Sequence, residues 1–451
     1  MSFSDTIFAL ASGSGRAGVA VFRVSGPLSG PVLMALTGRN LPPPRRAVRA
    51  KLSAPDVSPQ PGELIDDALA LWFPGPASFT GDDVVELHCH GGRAIAQALS
   101  EVLRLLGARP AEPGEFSRRA FEAGKLDLTQ AEAIADLVDA ETAAQRRQAL
   151  RQMDGALTRL YEGWRERLLR SQAHMEADID FSDEDLPGGL TDGARRDLEA
   201  IMAEMRLHLA DGHRGERLRD GLHVAIFGAP NVGKSSLLNR IAGREAAIVS
   251  STAGTTRDII EIHLDLAGYP VVLADTAGLR EDAAEAIEEE GIRRARARAE
   301  AADVRLAVFD ARDLPRLDRE TLSLVDADTL VIFNKTDETS GDLAVSSELS
   351  GHPLLRLSAK TGQGIDELLS ALGDKAAQVL EGSGAPALSR ARHRAAIEDS
   401  LSALARALTA GLPELAAEDV RVAGRALGRI TGRVDVEEML DVIFREFCIG
   451  K

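Results

Sequence analysis

The run Gly228-Ala-Pro-Asn-Val-Gly233-Lys234-Ser235 joins an apolar segment, LHVAIF, to the helix-forming SSLLNRIAG. Between a strand and a helix, such glycines let backbone N–H groups close around a phosphate, and the helix N-terminus adds positive potential. Lys234 can reach the outer phosphates and the Ser235 hydroxyl can ligate Mg2+. Asn231, Val232, Gly233, Lys234, Ser235 and Ser236 are therefore the expected phosphate-loop contacts. Downstream, Asp275-Thr276-Ala277-Gly278 follows the apolar VVLA and offers a carboxylate to the metal shell and an amide to a γ-phosphate. Between them, Gly254-Thr-Thr256-Arg-Asp258 puts Thr256 where it completes that shell.

Asn334-Lys335-Thr336-Asp337 follows TLVIF, and Ser358-Ala359-Lys360 fits a companion loop behind a base. The Asp337 carboxylate can accept two hydrogen bonds, from N1 and from the exocyclic amine of guanine. Adenine offers no such pair, so the nucleotide is read as GTP. Each cluster alone is a weak signal; four in this order point to a GTPase domain over 222–360.

Catalysis must depart from the glutamine-based scheme, because Leu279 stands just after Gly278. A glutamine there orients the attacking water in Ras-like enzymes. Asn231 is suited to help hold a monovalent cation, and Glu288, within the acidic stretch Glu285–Glu290, is the candidate for orienting water. Asn231, Lys234 and Glu288 are thus the expected catalytic residues.

These motifs need elements to position them. Residues 1–118 carry short apolar runs broken by Gly and Pro, an α+β pattern. No proline occurs between Pro113 and Pro187, and Ala131, Ile134, Ala135 and Val138 have the spacing of a helix face. Strand–loop–helix alternation begins at Leu222, and helical, alanine- and arginine-rich sequence returns from 388. The expected fold is multidomain α/β. An α+β domain (1–118) precedes a helical domain (119–215 and 379–451), into which a Ras-like P-loop domain with a mainly parallel sheet (216–378) is inserted.

The net charge is −17, from 70 acidic and 53 basic residues, so bulk electrostatics do not hold nucleic acid; RNA would need a local basic patch or one from another subunit. Two cysteines, Cys89 and Cys448, exclude a disulfide framework and fit a reducing cytoplasm. No run approaches the ~18 apolar residues of a membrane span. Gly13-Ser-Gly-Arg-Ala-Gly18 matches a dinucleotide fingerprint but leads into a strand, VAVFRV, and reads as a hairpin turn. His88-Cys89-His90 lacks neighbouring ligands for zinc, and the acidic loop from Asp178 to Asp185 lacks calcium-loop spacing.

The segments DTIFALASGSGRAGVAVFRVSG, SFTGDDVVELHCHGG, PGEFSRRAFEAGKLDLTQAEAIADLVDA and the terminal CIGK are more specific than the nucleotide cassette. Through them the chain resembles, over essentially its full length, the MnmE (TrmE) family of bacterial tRNA modification GTPases. The resemblance implies that the N-terminal domain binds a tetrahydrofolate derivative (5,10-methylene- or 5-formyl-) through Arg23, Glu86, Lys125 and Lys451. It implies K+ ligands at Asn231, Ser250, Thr252 and Thr255, Mg2+ ligands at Ser235 and Thr256, and a water-orienting Glu288. Cys448 is the candidate for a part in the modification chemistry. The implied assembly is a homodimer working as a heterotetramer with the FAD-containing MnmG. Together they would install an aminomethyl or carboxymethylaminomethyl group at C5 of the wobble uridine of certain tRNAs. The competing reading is a ribosome-assembly GTPase switch.

Overall fold

The computed structural model describes residues 4–13, 15–180, 190–211, 213–244, 246–248, 261–275, 301–339, 348–349, 352–382, 386–434, 437–445 and 447–450. They form two compact units: residues 1–138, 151–202 and 396–451, and residues 139–150 with 203–395.

The first unit opens with a six-stranded sheet. Its strands are β1 (Ile7–Leu10), β2 (Ala17–Ser25), β3 (Val48–Ser53), β4 (Leu64–Phe73), β5 (Val84–Gly91) and β6 (Arg109–Pro110), in the spatial order β3-β4-β5-β2-β1-β6. Alternation along β4 sends Asp66, Ala68, Ala70 and Trp72 to one face, as a strand period of two requires. The helices Ser29–Thr37 and Arg93–Leu105 supply Leu33, Leu36, Leu99 and Leu103 to the core beneath that sheet, against Phe22, Val24, Leu52 and Leu87. β1 and β2 are antiparallel neighbours, so the glycine-rich segment between them is a hairpin connection.

The helical part of this unit centres on the helix Ala156–Asp180, whose buried Leu157, Tyr161, Trp164, Leu168, Ser171 and Met175 recur at three- and four-residue steps. It packs along the helix Pro413–Thr431, whose Ala416, Ala417, Ala423 and Ala426 are buried. Small side chains let helix backbones approach. Pro413 starts that second helix with a pre-set φ, and Gly432, at φ +84°, ends it by donating to the Gly428 carbonyl.

The helix expected around Ala131 is present as Leu128–Asp139, and its burial extends to polar side chains that apolar spacing does not mark. Leu128, Thr129, Ala131, Glu132 and Ala133 are buried, whereas Val138 is 45% exposed. The apolar spacing at 131, 134, 135 and 138 gave the helix; Ala131 and Ala135 pack in one core cluster with Leu128, while Val138 stays outside it. Threonine and glutamate can turn inward when polar partners satisfy them; the Thr129 hydroxyl donates to the neighbouring Asp127 at 2.7 Å and lies 3.3 Å from the Thr158 hydroxyl of the next long helix.

The second unit holds an eight-stranded sheet among the described residues. It comprises β7 (Leu222–Phe227), β8 (Ala247–Ile248), β9 (Glu261–Leu266), β10 (Tyr269–Asp275), β11 (Val304–Asp310), β12 (Thr329–Asn334), β13 (Glu348–Leu349) and β14 (His352–Arg356), ordered β13-β14-β12-β11-β7-β10-β9-β8. β14, β12, β11, β7 and β10 are mutually parallel; β8, β9 and β13 pair antiparallel at the margins. Every residue of β12 is buried, as expected for a parallel strand covered on both faces.

The helix Ala143–Met153 begins in this unit, where three polar bonds anchor its first turns. Ala144 N donates to Gly268 O in the β9–β10 turn (2.9 Å), Gln145 Nε2 to Arg219 O (2.9 Å), and Gln148 Nε2 to Gly215 O (3.0 Å). Gly215 permits a close crossing, since a Cβ there would stand 2.0 Å from the Leu388 carbonyl oxygen. Among the described residues, no helix is long and apolar enough to cross a membrane.

Candidate functional site

Because five strands of the second unit run parallel, their C-terminal ends meet at one edge, where α/β sheets bind ligands. β7 ends in the phosphate loop, β10 in Asp275, β11 in Asp310 and β12 in Asn334, and β14 leads to Ser358.

The phosphate loop turns at two positions that only glycine can occupy. Gly228 has φ +153°, and a Cβ there would lie 2.2 Å from the Val308 carbonyl oxygen; Gly233 has φ +98°, and its Cβ would meet Asn334 Nδ2 at 2.3 Å. Both positions keep the backbone open and bare, the cradle a phosphate chain needs. Asn231 takes the left-handed conformation, φ +61°, which Asn tolerates better than most residues. Lys234 opens the helix Lys234–Ala242, and its Nζ donates to Gly228 O and Ala229 O at 2.9 Å each. Ser235 and Ser236 are exposed in the helix's first turn, and Val232 is buried beneath the loop.

Asn334 is 2% exposed and acts as a strut between two loops. Its Nδ2 donates to Val232 O at 2.8 Å, and its Oδ1 accepts from Ala359 N at 2.9 Å. Lys335 is left-handed (φ +64°), and its Nζ donates to Asn231 O at 2.5 Å. Clusters about 100 residues apart in the chain thus become contact in space: Asn334, Lys335 and Ala359 all tie to the 231–233 turn or to one another. Ser358 is fully buried, and its Oγ accepts from Thr361 N at 3.1 Å. Lys360 is exposed, with Nζ 4.0 Å from Asp337 Oδ2.

Two further residues were not singled out from the sequence. Arg240, on the helix after the phosphate loop, donates to Ala359 O at 2.9 Å and to Lys360 O, holding the 358–360 loop from behind. Nothing local marks that arginine. Asp310 forms an ion pair with Lys335 at 2.8 Å and accepts from Arg312. Burial opposes its charge, yet the Arg312 and Lys335 hydrogen bonds hold its carboxyl well below the ordinary range. A carboxylate ending the apolar run VRLAVF was the available signal.

Asp275 closes β10 opposite Ile226 of β7. Ser250, Thr252, Thr255, Thr256, Thr276, Ala277, Gly278 and Glu288 lie outside the described residues, as does Lys451. The residues present fit a Mg2+–nucleotide: a bare glycine cradle, an exposed Ser235 hydroxyl at a helix N-terminus, and a lysine at the loop mouth.

The first unit gathers a separate cluster. Arg23 and Glu86 face each other across β2 and β5, with Arg23 Nε and Nη2 donating to Glu86 Oε1 at 3.0 and 2.9 Å. The guanidinium lies 5.6 and 5.7 Å from the ring centres of Phe79 and Phe116, and Nη1 is 3.5 Å from the Gly450 carbonyl oxygen. A cation, a carboxylate and two rings together suit a flat, polar-edged heterocycle with an acidic tail. Lys125 is exposed, with its Cε 3.8 Å from where a Cβ on Gly81 would stand. Cys448 is exposed. His88 and His90 take separate partners, Glu86 (3.5 Å) and Asp66 (2.7 Å).

Comparison with known proteins agrees with this architecture. The TrmE N-terminal model matches residues 6–125 and the MnmE helical-domain model residues 128–448. The tRNA modification GTPase MnmE of Paramagnetospirillum magneticum is 60% identical, covering 99% of this chain and 100% of its own. That of Rhodospirillum rubrum is 57% identical, covering 99% of each. Among solved structures, the G domain of the T. maritima FeoB iron transporter matches 36% of this chain and 99% of its own at 24% identity, TM-score 0.26. By sequence over its whole length, the chain belongs to the MnmE (TrmE) family.

Proposed function

We propose that this chain is a GTP-hydrolysing enzyme of tRNA modification that, with MnmG, installs an aminomethyl or carboxymethylaminomethyl group at C5 of the wobble uridine. The observation that carries the GTPase half is the convergence of the phosphate loop, Asn334, Lys335 and the 358–360 loop at one sheet edge. Full-length identity of 60% to a tRNA modification GTPase supports the rest.

In this reading Asp337 reads guanine, Asn334 fixes the loops, and the phosphate loop with Lys234 receives the phosphates. Mg2+, held by Ser235 and Thr256, would draw charge from the outer phosphates. K+, held by Asn231, Ser250, Thr252 and Thr255, would stand where an arginine finger acts in other GTPases. Glu288 orients water in place of the glutamine that Leu279 replaces. Arg23, Glu86, Lys125 and Lys451 hold the reduced folate that donates the one-carbon unit, and the protein works in the cytoplasm as a homodimer joined to MnmG.

Two experiments test this. Unmodified tRNA incubated with this chain, MnmG, FAD, NADH, methylenetetrahydrofolate, an amine donor (ammonium for aminomethyl, glycine for carboxymethylaminomethyl), GTP, Mg2+ and K+ should gain the wobble group by mass spectrometry, and omission of the folate should abolish it. Intact wobble modification in a strain lacking this chain would favour a ribosome-assembly switch instead. In single-turnover assays, hydrolysis should run about 10²-fold faster in K+ than in Na+, the size of one preorganised charge-stabilising group. In the same assay Glu288→Ala should retain GTP binding and lose turnover by roughly 10²-fold or more. Equal rates in both salts, or a fully active variant, would remove the respective role.

A further inference from the structure

Asp310 sits at the C-terminal end of β11, directly opposite Asn334 in the parallel register with β12. Its side chain is 6% exposed and carries two cations on one carboxylate. On one side is Lys335, whose Nζ lies 2.8 Å from Oδ2 and also donates to Asn231 O at 2.5 Å. On the other is Arg312, with Nε 2.9 Å from Oδ1 and Nη2 2.6 Å from Oδ2; its Nη1 continues to Glu338 Oε2 at 2.8 Å. Glu338 follows Asp337, the proposed base reader, in the same short turn, Thr336–Glu338. A single carboxylate is therefore bonded towards the phosphate loop through Lys335 and towards the guanine-reading turn through Arg312.

Lys335 needs such a partner. Its left-handed backbone is strained for a lysine, and its long side chain has many rotamers. A neutral partner would leave the ammonium free to leave the Asn231 carbonyl.

We infer that Asp310 is a positioning residue for GTP binding, setting the distance between the base-reading turn and the phosphate loop through Lys335 and Arg312. The inference rests on the proposed nucleotide site and deepens it. Asp310 is buried with its carboxylate taken up by Lys335 and Arg312, so it acts on how long the nucleotide stays rather than on the barrier to its hydrolysis. Because its reach ends at Asn231, it also tunes the proposed K+ position.

The test uses the full chain with a fluorescent GDP. Asp310→Asn preserves shape but removes the charge that two cations share. Nucleotide release should accelerate by about tenfold or more, the cost of weakened charge-assisted bonds, in Na+ as well as in K+. KM for GTP should rise in proportion while kcat at saturation stays within about twofold, the pattern of lost uniform binding. The K+ concentration for half-maximal hydrolysis should also rise.

Asp326→Asn is the control, since Asp326 pairs with Arg305 before the opposite, N-terminal end of β12. Its release rate should match the wild type. Unchanged release in Asp310→Asn, or equal acceleration in Asp326→Asn, would overturn the assignment. Absence of K+ dependence in the wild type would sink the K+ reading alone, because release in Na+ still decides the role of Asp310.

Discussion

Asp337→Asn is expected to weaken GTP binding by roughly 10²–10⁴-fold, from two charge-assisted hydrogen bonds at about 1.5–3 kcal/mol each. In the proposed reading the carboxylate would accept from N1–H and from the exocyclic amine of guanine; the amide of asparagine would accept one bond and present a donor to the other. That mismatch leaves a guanine donor facing an N–H, which costs more than simple loss of a bond. Xanthine carries a carbonyl where guanine carries the amine, so xanthosine triphosphate should bind the variant better than GTP does. Competition binding with the two nucleotides reads both changes. A loss of GTP affinity below tenfold would mean that the base is read elsewhere than beside Lys360 and Asp337. The surrounding turn should survive, because among the described residues the Asp337 carboxylate has the distant Lys360 ammonium, at 4.0 Å, as its one ionic partner.

Arg119→Met is expected to destabilise the first unit by about 3–5 kcal/mol, the range for removing one member of a buried ionic cluster. The Arg119 side chain is 1% exposed; its guanidinium meets Asp5 Oδ1 at 2.8 Å, Asp5 O at 3.1 Å and Glu115 Oε1 at 3.0 Å, with Asp82 at 3.9 Å. Burial pushes the Asp82 carboxyl up, and Arg119 is the main opposing influence. Burial also opposes charge on Glu115 and Asp5, yet the Arg109 and Arg119 bonds hold both below their ordinary values.

The sign of the pH dependence follows. In the wild type, the lowered Asp5 and Glu115 contribute stability above their unfolded values near 4 and lose it as pH falls through the folded ones. Asp82, being raised, works in the opposite direction and relieves part of that loss. In the variant Asp5 and Glu115 keep Arg109 but lose their second cation, and Asp82 loses the guanidinium that opposes its burial; protonation relieves these carboxylates, so the deficit at neutral pH should shrink near pH 4. Chemical denaturation followed at both pH values checks this. A deficit that is unchanged by acid, or below about 1 kcal/mol, would mean that Arg119 acts only through its packing.

The phosphate loop and the turn after β12 were legible in the sequence as local structure because each is contiguous. A strand, a few fixed residues and a helix or turn are contiguous, and parallel pairing then brings their ends to one edge. Asp310 escaped notice because its partners, Lys335 and Arg312, become meaningful only when β11 and β12 pair with Asp310 opposite Asn334. Arg240 escaped for the same reason: its role depends on where the 358–360 loop folds back. In the first unit, Arg23 and Glu86 were marked through resemblance, and the antiparallel β2–β5 register makes them neighbours. The helix at Leu128–Asp139 shows the opposite case. Apolar spacing gave its period, but its buried Thr129 and Glu132 depend on polar partners that periodicity does not encode.

The two thiols differ in a way that has a practical use. Cys89 is 2% exposed, packed in the core of the first sheet, and burial pushes its thiol up to about 12. Cys448 is exposed near the end of the chain. An electrophile such as a maleimide, which reacts with thiolate, therefore finds one addressable site on the native protein and two on the unfolded chain. The molecule carries its own single-position handle for a dye or spin label. Its second thiol serves as a built-in reporter: the gain from one reactive sulfur to two records the moment the N-terminal sheet opens.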